Sequence, residues 1–393
     1  MKLVCTADWH AHNFTDFSKT FSVVWSEKSL RYEILDGEPN EEDLDVKEMN
    51  SRLFNILNGI CDMRDYCLTN NITDVLFGGD MFHHRGTIDV TVYNAIYKTL
   101  DSYHRLGITI HAIAGNHDQT DASIVPISAI HAFDKIIHVI EKPELFAINN
   151  QSEQVEVVAI PYSKNKKFVL ESMKYLRDMC EDPRQAILLC HLGIDGGLVG
   201  SGMYMMSDEY TLKDLMYDKW KSVVIGHYHQ PQILSYNTFY CGTPVQNNFG
   251  DELKGKDGYN GFFVIDTDRR WDIEFVPIIA PRFITVSSVE ELKEMSPETL
   301  KTNYVRVKSK ANQASEIQEE LKEMLNEDVS QGVRLELEKD YVQEHRSDIG
   351  VTQSPEETLK TYAKEHWGDK DTLSSLVDCG LSILHEALTG GKQ

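Results

Sequence analysis

Five short apolar runs in this sequence each end beside side chains that can bind a metal ion. Each run has the length of a strand and is followed by carboxylate, imidazole or amide groups. The run that ends at Ile113 leads through Ala114 and Gly115 to an amide, an imidazole and a carboxylate in three consecutive residues. Ligands bind at the carboxyl ends of strands in α/β sheets, so we predict one shared site at that edge. The groups concerned are Asp8, His10, Asp80, Asn116, His117, Asp118, His191, His227 and His229.

These side chains offer nitrogen and oxygen ligands and no thiolate. That set suits manganese or iron better than a closed structural zinc site. Hydrolysis of a phosphate ester by two ions needs a carboxylate that bridges ions roughly 3.5–4 Å apart, with further ligands on either side. Asp80 lies at the centre of the motif order and is therefore the predicted bridge.

The motifs D-x-H, G-G-D, G-N-H-D, a single histidine after a strand, and G-H-x-H together resemble those of the calcineurin-like metallophosphoesterases. Two further features are similar to the SbcD branch, the nuclease subunits of DNA double-strand-break processing complexes. These are the GGDMFH form from Gly78 to His83 and the later segment from Cys241 to Gly250. The resemblance extends from Asp8 to about Gly250.

The resemblance implies a role for each residue of the predicted site. Asp8, His10 and His229 would bind one divalent ion together with Asp80. Asn116, His191 and His227 would bind a second ion with the same Asp80, and Mn²⁺ is the ion that the SbcD branch favours. His117 would face the scissile phosphate as an acid catalyst, Asp118 would orient its ring, and His83 would face the substrate.

The function that the resemblance implies is DNA cleavage by a two-metal nuclease. Such an enzyme acts as a double-strand exonuclease and as an endonuclease on single strands and hairpins, in DNA recombination, repair or replication. Its expected partners are DNA, an SbcC-like ATPase of the SMC family and a second copy of the chain. Two alternatives stay open: a two-metal phosphatase or nucleotide phosphodiesterase, and a non-catalytic assembly scaffold. Metal content and activity on a generic phosphodiester would separate the scaffold from the enzymes.

Composition indicates a globular protein without a membrane span or a signal peptide, because no apolar run approaches the ~18 residues that a span requires. The seven cysteines form no C-x-x-C pair and predict a reduced, cytoplasmic protein. The formal net charge of −23 is unfavourable for DNA binding, since phosphate contacts normally come from Lys and Arg. We therefore expect DNA binding to need a partner.

Periodicity predicts an α/β fold: a two-sheet sandwich, then a small α+β domain and C-terminal helices. The resemblance implies that the sandwich is the metallophosphoesterase α/β/β/α fold and that the small domain caps the DNA. It divides the chain into residues 1–281 for the nuclease, 282–350 for DNA capping and 351–393 for helices that are candidates for binding the ATPase partner. Docking of these last helices on the chain's own capping domain stays open. Helical patterns cover 48–70, 88–105, 164–179, 289–295, 314–325, 355–366 and 370–388. Strands at 233–235, 239–241, 261–265 and 273–276 are predicted to complete the second sheet. Residues 27–48 are predicted to be an acidic insertion without regular structure, and 193–206 a mobile loop.

Overall fold

In a computed structural model the chain forms two compact units, Met1–Leu337 and Glu338–Gln393. The strands are β1 (Lys2–Thr6), β2 (Thr20–Ser26), β3 (Arg31–Ile34), β4 (Lys47–Asn50), β5 (Asp74–Phe77), β6 (Thr109–Ile113), β7 (His138–Ile140), β8 (Glu144–Asn149), β9 (Gln154–Ile160), β10 (Ile187–His191), β11 (Ser222–Gly226), β12 (Gln232–Ser235), β13 (Thr238–Tyr240), β14 (Gly261–Asp266), β15 (Asp272–Pro277), β16 (Phe283–Val286), β17 (Tyr304–Lys310) and β18 (Val333–Glu338). The helices are α1 (Ser51–Thr69), α2 (Val90–Arg105), α3 (Lys166–Met179), α4 (Val289–Glu294) and α5 (Pro297–Thr302). The structure describes residues 1–35, 46–120, 127–150, 153–200, 210–253, 258–310, 315, 317, 319, 332–338, 359–360, 363–364, 374 and 377–382.

The first sheet has the strand order β15-β14-β1-β5-β6-β7. Strands β1, β5, β6 and β7 run parallel to one another, so their carboxyl ends meet at one edge. Strand β14 pairs antiparallel with β1 and β15 pairs antiparallel with β14. The prediction that these last two strands complete the second sheet is therefore wrong. They lie in the first sheet because β14 pairs with the free edge of β1.

The second sheet has the strand order β12-β13-β11-β10-β9-β8. Strands β9, β10, β11 and β13 run parallel, and β8 and β12 pair antiparallel at the two edges. The inner faces of both sheets pack in one apolar layer that includes Leu3, Leu76, Val157, Ile187 and Val224. The two sheets thus form the central layers of the predicted sandwich.

Three amphipathic helices cover the outer faces of the sandwich. Helices α1 and α2 pack on the first sheet, and α3 packs on the second. Each begins at a side chain that accepts hydrogen bonds from the backbone of the first turn: Asn50, Asp89 and Asn165. Together they complete the α/β/β/α architecture, and the predicted fold class is confirmed.

The predicted acidic insertion, residues 27–48, contains β3 and the start of β4, which pair with the preceding β2 in a small sheet that the sequence pattern did not reveal. Its strand order is β3-β2-β4, with antiparallel pairing throughout. The side chains of Trp25 and Tyr32 are buried on this sheet and join the core around α1 and α2. On its surface, Arg31 forms ion pairs with Asp62 and Asp65 of α1. Residues 36–45, which carry most of the acidic charge, lie outside the described residues.

A third sheet, with the order β16-β17-β18, follows the sandwich in sequence. Its β16 and β17 run parallel, with Phe283 opposite Tyr304. Arg52 of α1 is buried against this sheet, with its guanidinium carbon 4.8 Å from the ring centroid of Phe283 and 5.0 Å from that of Tyr304. The same guanidinium donates to the carbonyl oxygens of Asp16 and Asn247. These contacts join the third sheet to the sandwich within the first unit.

Beyond Glu338, which ends β18, the described residues of the second unit are helical: 359–360, 363–364, 374 and 377–382. Most of the helices predicted at 355–366 and 370–388 lie outside the described residues, as do most of 314–325 and residues 201–206 of the predicted mobile loop. The domain boundaries after 281 and 350 stay a prediction. Among the described residues, no helix is long and apolar enough to cross a membrane.

Candidate metal centre

The loops after β1 and β5 lie side by side and present the first ligands. Asp8 N–H donates to the Gly79 carbonyl at 2.8 Å, and His10 N–H donates to the Asp80 carbonyl at 3.1 Å. Three residues of these loops have left-handed backbone angles, with φ of 55° at Asp8, 46° at His10 and 61° at Asp80. His227, after β11, has φ of 109°. Such angles are costly for residues other than glycine, and four of them come together at this edge of the sandwich.

Glycines at two of the strand ends permit the close approach of the loops. A Cβ atom on Gly115 would overlap the carboxylate and backbone nitrogen of Asp80. A Cβ atom on Gly226 would overlap the carbonyl oxygen of Gly78, which lies in the other sheet's loop. The motif glycines are therefore needed for packing between backbones at this edge of the sandwich.

The first predicted ligand set, Asp8, His10 and His229, comes together in the structure. One ligand atom from each lies within 4.8 Å of the others. The ring of His10 is 1% exposed, and neither of its nitrogens has a hydrogen-bond partner. A buried imidazole without partners is unfavourable unless an ion binds it, so this set fits a divalent metal.

The second predicted set, Asn116, His191 and His227, converges on the amide oxygen of Asn116. Nε2 of His191 lies 2.9 Å from this oxygen, and Nδ1 of His227 lies 3.1 Å from it. The other nitrogen of His191 donates to the Gly78 carbonyl at 2.7 Å. If the His191 ring is neutral, its one proton is on Nδ1 and its Nε2 atom carries a lone pair. That lone pair would point at the Asn116 amide oxygen, which is itself an acceptor. A cation between the two atoms, either a proton or a metal ion, removes that conflict.

Asp80 lies between the two sets, as its predicted bridging role requires. Its Oδ2 atom is 3.7 Å from Nε2 of His10 and 3.4 Å from Nε2 of His191. It is also grouped with Asp8 and His191, whose ligand atoms all lie within 4.8 Å of one another. The carboxylate is 1% exposed and thus shielded from water.

Burial and neighbouring charges shift the pKa values of the residues in this centre, some upward and some downward. Burial raises the pKa of Asp8 to about 7, against the opposing charge of His191. Burial acts on Asp80 in the same direction, but the charge and the hydrogen bond of His191 hold its pKa below its usual range. Burial would lower the pKa of His191, yet the Asp80 charge raises it to about 9. Burial lowers the pKa of His10 well below its ordinary value, so its ring is neutral and can bind a cation.

His117, the predicted acid catalyst, lies at the border of this centre. Its backbone N–H donates to Oδ1 of Asp80 at 2.7 Å, and its ring nitrogen Nδ1 donates to the His83 carbonyl at 2.5 Å. The ring centroid is 4.8 Å from that of His10. His117 also forms a group with His10 and Asp80 that could hold an ion. The geometry therefore permits either a catalytic or a ligand role for its Nε2 atom.

Asp118 makes different contacts from those predicted. Its carboxylate accepts four backbone N–H groups, from Asp80, Met81, Phe82 and Gly115, at 2.8–3.2 Å. The ring of His117 is oriented by the His83 carbonyl instead, so the predicted ring-orienting role of Asp118 is corrected. The physical reason is that the turn after β6 directs this carboxylate inward, where it connects the loops after β5 and β6.

His83 lies beside His117, with the two rings nearly parallel and their centroids 5.8 Å apart. Its Nδ1 atom is buried without a hydrogen-bond partner. Burial, together with the nearby His12, lowers the pKa of His83 to about 4, so the ring is neutral at physiological pH. His12 and His84 complete a histidine group, with ring centroids 4.3 Å apart. This placement is compatible with the substrate-facing role predicted for His83.

Sequence reasoning missed Asp251, whose carboxylate contacts a predicted ligand directly. Oδ1 of Asp251 accepts from Nδ1 of His229 at 2.9 Å, and Asp251 is 2% exposed. Burial would lower the pKa of His229, but the Asp251 carboxylate outweighs it and raises that pKa to about 9. The only available signal was an acid directly after the segment from Cys241 to Gly250.

The phage relative and the family comparison agree with this geometry. Exonuclease subunit 1 of Enterobacteria phage T4 is 26% identical over 227 residues, which is 56% of this chain and 60% of the phage protein. The chain thus matches less than two thirds of that relative's length. The calcineurin-like phosphoesterase family model matches residues 1–231.

Three solved structures show weaker similarity. A dimetal phosphatase from Danio rerio is 8% identical, with a TM-score of 0.36, over 67% of this chain and 92% of its own. A hypothetical protein from Thermus thermophilus is 10% identical, with a TM-score of 0.33, over 62% and 77%. An NAD nucleotidase from Haemophilus influenzae is 11% identical, with a TM-score of 0.30, over 83% and 60%. On the family match over residues 1–231, together with the ligand sets at the strand ends, the chain belongs to the calcineurin-like phosphoesterases.

Proposed function

We propose that this protein is a DNA nuclease that hydrolyses phosphodiester bonds with two divalent ions, for which we propose Mn²⁺. Its family supports a metal-dependent phosphoesterase. The observation that carries the proposal is the convergence of two ligand sets on either side of Asp80, with His117 beside them. Asp8, His10 and His229 would hold one ion with Asp80. Asn116, His191 and His227 would hold the other with the same carboxylate.

The bound ions would supply a nucleophile at neutral pH and offset the negative charge of the phosphate. The chain's own residues then have distinct tasks. The His83 carbonyl orients the ring of His117 by accepting from Nδ1. As an imidazolium, this ring would pass its Nε2 proton to the leaving oxygen and would become the neutral ring that keeps its proton on Nδ1. The buried Asp118 maintains the loop geometry on which both Asp80 and His117 depend.

DNA is the substrate that we infer from the similarity to a phage exonuclease subunit. We further propose exonuclease activity on duplex ends and endonuclease activity on single strands and hairpins, in DNA recombination, repair or replication. The net charge of −23 supports a need for a partner in DNA binding, and we propose an SbcC-like ATPase of the SMC family for that role. A homodimer and a cytoplasmic location complete the proposal.

A cleavage assay on linear duplex and hairpin DNA with Mn²⁺ tests this function. The assay is run with and without a co-encoded SMC-like ATPase, and mono- and bis-p-nitrophenyl phosphate serve as generic substrates. We expect DNA cleavage that the ATPase stimulates. Turnover of the generic esters without DNA cleavage would favour the phosphatase or nucleotide phosphodiesterase. A chain without metal or activity would be a scaffold.

A further inference from the structure

Two consecutive carboxylates, Asp251 and Glu252, contact different parts of the molecule. Asp251 accepts from Nδ1 of His229 in the candidate metal centre at 2.9 Å. Glu252 accepts from both the backbone nitrogen and the hydroxyl of Thr285, at 2.9 and 2.6 Å. Thr285 belongs to β16 of the third sheet. One peptide bond therefore separates a contact to a predicted metal ligand from a contact to the third sheet.

The Asp251 carboxylate is held from both sides. Its second oxygen accepts from the backbone nitrogen of Asn247 at 2.8 Å, while the first accepts from His229. A carboxylate that accepts from Nδ1 of a histidine keeps the proton on that nitrogen and leaves Nε2 as the metal-binding atom. Asp251 thus fixes both the tautomer and the orientation of the His229 ring.

The neighbouring residues of the same segment connect to the third sheet as well. The side-chain oxygen of Gln246 accepts from Phe283 N–H in β16 at 2.7 Å. Thr285 is held from its other side by Arg306 of β17, whose guanidinium donates to the Thr285 hydroxyl at 3.1 Å. A displacement of β16 would therefore act on residues 246–252 at two points, of which one is adjacent to Asp251.

We propose that Asp251 is a positioning residue for His229 and that the Glu252–Thr285 contact couples the third sheet to the strength of metal binding. The inference rests on the proposed metal centre. Energetic coupling between two sites is reciprocal. Displacement of the third sheet weakens binding of the ion held by His229, and ion binding in turn stabilises β16.

Metal titration of the full chain tests the first half of this inference. Isothermal titration with Mn²⁺ should show that Asp251→Asn weakens one of two binding events by about 10–100-fold, as loss of a carboxylate behind a metal-bound histidine does. In the ion-free protein at a pH above the His229 pKa of about 9, where the ring is neutral, its nitrogen chemical shifts should show the Nδ1-protonated tautomer in the wild type and a weaker preference for it in Asp251→Asn. A change that only loosened packing would not alter the tautomer.

Hydrogen exchange tests the second half. In the wild type, Mn²⁺ should slow exchange of the β16 amides. Glu252→Ala should abolish that response and weaken one Mn²⁺ site about 5-fold, within the usual range of coupling between sites. Glu291→Ala is the matched control. Glu252 and Glu291 both line a cavity of about 350 Å³. Glu291 accepts from Ser287 N–H and makes no described hydrogen bond to Asp251 or Thr285.

The outcomes separate this inference from the proposed function. Two Mn²⁺ sites of wild-type strength in Asp251→Asn would overturn the positioning role. A β16 response that persists in Glu252→Ala, or that is equally lost in Glu291→Ala, would overturn the coupling. A wild-type chain that binds no Mn²⁺ would overturn the proposed metal centre, and the inference with it.

Discussion

Asp80 is the residue on which both halves of the candidate centre depend, since its Oδ2 atom lies near His10 on one side and His191 on the other. We expect Asp80→Ala to abolish turnover and to remove close to two metal equivalents, because each ion would lose a ligand. Elemental analysis of the purified chain measures this, with the exposed Asp62→Ala as a control for loss of an acidic side chain. Two retained ions in Asp80→Ala would contradict the bridging assignment.

His117→Ala should lose most hydrolysis while both metals remain bound. General acids contribute typically about 10²–10⁴-fold, so the loss of transition-state stabilisation should be roughly 3–5 kcal/mol. Single-turnover cleavage in excess Mn²⁺ measures the rate, and metal analysis of the same sample measures occupancy. A metal-depleted variant would show instead that His117 is a ligand, the other role that its grouping with His10 and Asp80 permits.

Asp118→Ala tests the contacts that replace its predicted role. The substitution would leave four buried backbone N–H groups without an acceptor, and each such group costs about 1–3 kcal/mol. We expect the ion-free chain to lose at least ~3 kcal/mol of unfolding free energy in urea titrations. Asp118→Asn should lose less, because its amide oxygen can still accept. If Asp118→Ala loses activity while the midpoint of its urea unfolding stays unchanged, the result would support a role for Asp118 in catalysis instead.

At the scale of elements, the central strands and the helices of the sandwich could be predicted because they bury regular apolar patterns. The β10 strand, for example, is buried at all five residues, and α2 buries one stripe of its surface. The small β3-β2-β4 sheet could not be predicted in this way. It buries few side chains, chiefly Val23, Trp25, Tyr32 and Met49. Its residues show no regular apolar period that would have predicted strands.

The candidate site was predictable to the extent that its groups follow strand ends. Residues that act by binding the backbone or another side chain have no comparable pattern in the sequence, because their position relative to strand ends does not reveal their contacts. Asp118 stands within a motif, yet the direction of its carboxylate follows from the turn. Asp251 stands outside the strand-end pattern, and its contact with His229 depends on how a long loop folds back.

Gly115→Ala should separate the loops that carry the ligands. The added methyl group would overlap the Asp80 carboxylate, so we expect loss of metal and of activity with the overall fold retained. Metal analysis and circular dichroism measure the two effects. Gly107→Asn is a suitable control, because nothing lies near a Cβ at Gly107 and Asn tolerates its positive φ of 73°. Full metal content in Gly115→Ala would show that the loops can move apart without loss of the site.

For the whole molecule, the division into units 1–337 and 338–393 bears on partner binding. Removal of residues 354–393 should leave a folded phosphoesterase, because the sandwich and its candidate metal centre lie in the first unit. The truncated chain should no longer co-purify with the proposed ATPase partner or respond to ATP through it. Affinity co-purification and cleavage assays measure these effects. Continued co-purification would place partner binding elsewhere in the chain.

The left-handed backbone angles at Asp8, His10, Asp80 and His227 have a consequence for attempts to stabilise the chain by design. A residue with a side chain costs roughly 1–2 kcal/mol more than glycine in this conformation. On backbone conformation alone, a stability screen would therefore favour glycine at these four positions. Each such substitution would delete a predicted ligand, so a design that optimised only the backbone would remove the candidate metal centre.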